Sequence, residues 1–202
     1  MRIVRWCLMA IGAIGILFVI ALVVGYCLFC LVPPIKADMM QIVVTAAAAQ
    51  SLDQKVDAFK AEIDDAVETG ENREITLTIT NEEVNSKLTE IVAEGKLPLE
   101  QALVNFGDGY FMAYAVIDVP GVAAKTGMRG QIELTDGGPE VVVEDFDLGK
   151  LPLPEGMNDR VGGLMNILVL MELPTDELPL EVTAVEFIWG ELTVKGVTKV
   201  SS

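Results

Sequence analysis

Three carboxylates fall together in the stretch VVVEDFDLG: Glu144, Asp145 and Asp147. On an extended chain Asp145 and Asp147 share a face with Cβ atoms about 7 Å apart, a spacing at which two acids can share a proton or offer oxygens to calcium. Calcium takes about six to eight oxygens, and the sequence marks no further ligands near this pair. Acidic clusters mostly sit in water, so the set is read as a solvated strand face. A second candidate is Cys27-Leu-Phe-Cys30, which has the spacing of redox and metal-binding thiols. It lies with Cys7 in an apolar run, where two small residues on a helix is the plainer reading. Tyr26 and Phe29 stand where a lipoprotein cleavage site needs a small residue. The chain has no histidine, which removes histidine-assisted serine and cysteine nucleophiles and most catalytic zinc sites. No nucleophile elbow, phosphate-binding loop or dinucleotide fingerprint occurs, and Gly162-Gly163 sits in a helical pattern where close packing explains it. These residues predict a protein that is not an enzyme and carries no metal or cofactor.

The elements that would position any site begin with a membrane segment. No charged residue occurs from Trp6 to Val32. At about 1.5 Å per residue this run exceeds the ~30 Å hydrocarbon core, so it predicts a tilted transmembrane helix. A signal peptide has a shorter apolar core of about 7 to 15 residues, and Ile35-Lys36-Ala37 is a poor cleavage site, so an uncleaved signal anchor is expected. Arg2 and Arg5 flank it on the N-terminal side, which predicts a cytoplasmic N-terminus and a C-terminal domain outside. All 30 acids lie after Val32, so that domain is more acidic than the whole chain at −16. Such a charge repels phosphate backbones and anionic headgroups, which excludes nucleic acid as a partner.

Three stretches follow: 1–34 as cytoplasmic flank and anchor, 35–72 as a juxtamembrane helical segment, and 73–202 as an α+β domain. Pro33-Pro34 ends the anchor. Residues 35 to 50 read as more helix, and from Ser51 a clear amphipathic helix runs to Gly70. In REITLTITNEEVNSKLTEIVAEG the period changes from two to about 3.6: Ile75, Leu77 and Ile79 predict a strand, and Val84, Leu88, Ile91 and Val92 a helix. Thr80 and Glu83 have capping-box spacing at the join. Two hairpins are expected around Gly107-Asp108-Gly109 and Asp136-Gly137-Gly138, then a helix from Met157 to Met171, then a last strand pair broken at Trp189-Gly190.

One strand is unusual. In YFMAYAVIDV, Tyr110, Met112, Tyr114 and Val116 form one apolar set, and Phe111, Ala113, Ala115, Ile117 and Val119 form another. Something apolar must therefore cover each face. Two readings stand: a helix on one side with a partner or second sheet on the other, or a groove for acyl chains.

ITLTITNEEVNSKLTEIV, a strand passing into T-x-x-E-x-N-x-x-L, resembles an element of bacterial envelope proteins with a tubular lipid-binding architecture. The closing LPTDELPLEVTAVEFIWGELTVKGV resembles the last strands of LmeA-like phospholipid-binding proteins. The anchor-then-domain layout is similar to YpmS-like membrane-anchored proteins. Across residues 73 to 199 the resemblance implies a curved antiparallel sheet cradling a long apolar helix, with lipid tails between them. The helix would be Met157–Met171, with three methionines and apolar residues nearly all round. It implies a lipid-facing set of Tyr110, Met112, Tyr114 and Val116 on the sheet with Val161, Leu164, Met165, Leu168 and Met171 on the helix. The partners expected are the bilayer, a bound phospholipid or other acyl lipid and, on the alternative of a non-catalytic envelope assembly subunit, a membrane protein.

Overall fold

A computed structural model describes residues 2–119, 122–135, 138–154, 156–172 and 179–199, with side chains excepted at 2–15, 118, 119, 122, 164, 165 and 167–172. Its elements are α1 (Arg2–Cys30), α2 (Ile35–Asp38), α3 (Ala46–Thr69), β1 (Glu74–Thr80), α4 (Asn81–Ala93), β2 (Leu99–Phe106), β3 (Phe111–Val119), β4 (Val122–Thr135), β5 (Gly138–Leu148), α5 (Met157–Glu172), β6 (Leu180–Ile188) and β7 (Glu191–Thr198). The class is α+β with an N-terminal apolar helix and antiparallel sheets. α1 is long and apolar enough to cross a membrane, a test that a signal sequence also meets.

The strand-to-helix switch has the expected cap. Thr80 Oγ1 accepts from the Glu83 N–H at 3.2 Å, and Glu83 Oε2 accepts from the Thr80 N–H at 2.9 Å. The segment after α1 departs from the helix expected over residues 35 to 50. Only Ile35–Asp38 and the chain from Ala46 onward are helical; residues 40 to 45 form no regular element, and Met39 and Thr45 are extended. Ile42, Val43 and Val44 are β-branched and disfavour a helix, and Thr45 then caps α3 by accepting from the Ala48 N–H at 3.1 Å. α3 packs on α4 and β1 with Ile63 and Ala66 buried, so it belongs to the folded domain.

The strands form two sheets, in the orders β1-β7-β6 and β2-β3-β4-β5. Their turns are stitched together: the Gly190 N–H donates to Phe106 O at 3.0 Å and the Gly109 N–H to Phe187 O at 3.0 Å. Phe106, Phe111 and Phe187 meet there, with ring centroids 5.8 Å apart, and Val141 and Val143 complete the core between the sheets.

Both edges of the four-stranded sheet end on asparagines rather than in water. Asn85 of α4 accepts from the Val104 N–H at 2.8 Å and donates to Val104 O at 2.6 Å. Asn166 of α5 treats Val141 of β5 alike, at 2.6 and 3.0 Å. A side-chain amide has the donor and acceptor of a peptide group, so each helix closes an edge as a further strand would. Glu144 is the extra residue of a bulge opposite Arg129 and Gly130, and Asn158 donates to its carbonyl at 2.7 Å.

Candidate functional site

The two apolar sets of β3 face different surroundings. Met112, Tyr114 and Val116 lie on what we call the outer face, in a cluster with Ile35 and Met39, with Tyr110 packed beside it. The segment that follows α1 is thus the cover of this face. It sits close because Gly127 of β4 has no side chain: a Cβ there would lie 3.3 Å from Ile35 Cβ and 3.4 Å from Pro33 Cγ. The Ile35 N–H donates to Asp147 Oδ2 at 3.4 Å, and Lys36 Nζ stands 4.8 Å from the Tyr114 ring centroid. Burial lowers the Lys36 pKa and raises that of Tyr114. Burial also raises the Asp147 pKa, Asp145 adds to the rise, and the Ile35 N–H opposes it. The two acids therefore differ: Asp145 is exposed, whereas half-buried Asp147 fastens the covering segment to the sheet. Their shared strand face is not uniformly solvated, because that segment shields one of them.

Phe111, Ala113, Ala115 and Ile117 lie on the inner face, toward the second sheet. Register places this face in rows. Phe106, Phe111, Gly130 and Val143 form one row, and all are buried. Val104, Ala113, Met128 and Phe146 form the next, and Ala102, Ala115, Thr126 and Leu148 the next; all eight are only half-buried. Beyond them Ile117 is half-buried opposite buried Ala124. The face is buried at the aromatic end and half-buried at the other, with Val104, Met128 and Phe146 packed against the core between the sheets.

The half-buried end lies beside the end of α1. The Lys150 N–H donates to Leu28 O at 2.8 Å, and the Gly149 N–H donates to Lys125 O at 2.7 Å. Gly149 has φ +61°, and a Cβ there would run into the carbonyls of Leu28 and Phe29. A glycine is required both for the backbone angle and for the approach of the helix end. The row ending in Leu148 is thus adjacent to the helix terminus. Cys27 and Cys30 are free thiols on the last turns of that helix.

The lipid-facing set expected from the sequence is divided by this arrangement. Tyr110, Met112, Tyr114 and Val116 are under the covering segment on the outer face, whereas Val161 of α5 packs against the inner core near Val141 and Val143. They do not line one cleft. The side chains of Leu164, Met165, Leu168 and Met171 lie outside the described residues. Ala102, Met128, Phe146 and Leu148 of the inner face are not in that expected set, and Ala115 and Ile117 enter the sequence reading only in the second apolar set of β3. The signal was parity: the smaller alternate residues of β3, Ala113 and Ala115, share the inner face. Open clefts lie elsewhere, along residues 40–45: one of about 560 Å³ against α3 and α4, another of about 450 Å³ beside the Trp189 turn. Comparison with known protein families, curated proteins and solved structures returns no match.

Proposed function

We propose that the chain is a single-pass protein of the bacterial cytoplasmic membrane whose outward domain holds an acyl lipid between its two sheets, without catalysing a reaction. α1 is the anchor, and Arg2 and Arg5 keep its N-terminus in the cytoplasm. The single observation that carries this reading is the gradient along the inner face, from a buried aromatic end to a half-buried apolar end beside the terminus of α1. A lipid tail leaving the bilayer next to the anchor would meet this half-buried end first. From Ile117 to Phe111 the strand advances about 20 Å, comparable with the ~15 Å depth of one leaflet's hydrocarbon, so one acyl chain fits the length. α5, along β5, would close the side of the space, in keeping with the resemblance to tubular lipid-binding proteins. The negative domain charge favours a tail-directed site over one that recognises an anionic headgroup.

The test is mass spectrometry of lipid retained by the full chain, purified in mild detergent, beside the variant Ala115→Trp. The substitution should remove one retained lipid per chain while costing less than the ~1–3 kcal/mol of overpacking a filled core. Lipid around α1 is common to both proteins and cancels. Equal lipid in both, with a marked loss of stability in the variant, would leave an ordinary packed domain and favour an envelope assembly subunit instead.

A further inference from the structure

The segment between α2 and α3 pairs with no strand, and Met39 and Thr45, which bound it, are both extended. Among the described residues, no hydrogen bond involves the backbone of residues 40 to 44, and Val43 is 72% exposed. Its sequence, MQIVV, is uncharged, proline-free and β-prone, the kind of edge that soluble proteins normally cover or charge. The β6–β7 turn adjoins it, with Ile188 at 52% and Trp189 at 64% exposure. Residues 40–43, Trp189, Glu82 and Glu191 border the 450 Å³ cleft between the two, and Ile42 and Val44 border a second cleft of similar size with Glu100. Glu82, Glu100 and Glu191 are exposed, and none has an ion-pair partner among the described residues.

We infer that this edge docks an extended apolar segment of another protein that carries lysine or arginine at its flanks. Main-chain bonds to residues 40–44 would add the segment as a strand, its side chains would cover Val43 and Trp189, and its basic flanks would meet the three free glutamates. The bilayer itself does not fit the Trp189 side of this edge. The turn bonds to Phe106, in the row of Gly130, five residues along β4 from the Lys125 contact with Gly149. Strand geometry puts it about 17 Å from the end of α1, whereas headgroups extend only ~5–7 Å beyond the hydrocarbon. A second copy of this chain fits poorly, because each domain is strongly acidic. The surface is bordered by the β6–β7 turn and the β2 edge, and its test does not depend on lipid.

The probes are two fluorescent peptides with a core of alternating valine and threonine, one with lysines at both ends and one with glutamates. Binding to the full chain in nanodiscs is followed by anisotropy. The lysine peptide should bind saturably and at least about tenfold more tightly than the glutamate peptide, with affinity falling as salt rises. N-methylation of alternate amides along one edge should abolish binding. The double change Glu82→Lys with Glu191→Lys should reverse the charge preference, with thermal stability lowered only slightly by the lysine placed in the first turn of α4. Absent or charge-indifferent binding, or binding that survives N-methylation of either edge, would overturn the inference. So would concentration-dependent dimerisation lost in Val43→Lys, which would make the occupant a second copy.

Discussion

Asn85 is fully buried and spends its amide on Val104, both as acceptor and as donor, while donating also to Asn81 O at 2.7 Å. Truncation would leave an N–H and a C=O of a sheet edge buried without partners. Each such group costs roughly 1–3 kcal/mol, so Asn85→Ala is expected to lower stability by about 2–4 kcal/mol in urea unfolding. Asn166→Ala, at a half-buried position, should cost less. Equal and small losses from both would show that the edges are closed by something other than these amides. The neighbouring cap was legible because Thr80 and Glu83 are three apart and act on each other. Asn85 stood in the same quoted motif, but its partner lies 19 residues on, in a strand whose place beside α4 no local period encodes. Glu83 adds a similar long-range contact: burial pushes its pKa up, but hydrogen bonds from Lys55, Ser51 and the Thr80 N–H outweigh that and lower it.

At the scale of elements, alternation and turn residues identified the strands and the two longer domain helices well, because each signal is confined to a few neighbours. Pairing was not legible. β1 joins β7 from the far end of the chain, and the division into two sheets follows from that closure. Residues 40 to 45 depart from the expected helix: alanine and methionine around them favour helix, while Ile42-Val43-Val44 and the Thr45 cap decide otherwise. Parity on β3 was read correctly as two apolar sets, but what covers each set is a tertiary fact. The contact between α1 and the sheet is the other element-level result. Gly149→Val would force a β-branched residue into a positive φ and against two helix carbonyls; the angle alone costs about 1–2 kcal/mol. The helix end should then separate from β4 and β5, loosening the covering segment. Trypsin cleavage after half-buried Lys36 should become several-fold faster, whereas an unchanged rate would mean that the docking is incidental.

For the whole molecule, the end of α1, the half-buried end of the inner face and the buried aromatic end fall in that order along one direction. This order gives the proposed function its sense: a tail enters beside the helix and stops at Phe106 and Phe111. The charge distribution agrees with it, since all the acids follow Val32 and Arg2 and Arg5 precede the apolar run. The most direct measurement uses a phospholipid with a diazirine at the end of its acyl chain, incorporated in nanodiscs with the full chain, irradiated and mapped by peptide mass spectrometry. The proposed arrangement predicts adducts on inner-face residues such as Ala113, Met128 and Phe146, lost in Ala115→Trp. Labelling confined to α1, or falling instead on Met112, Tyr114 and Val116 beneath the covering segment, would contradict it.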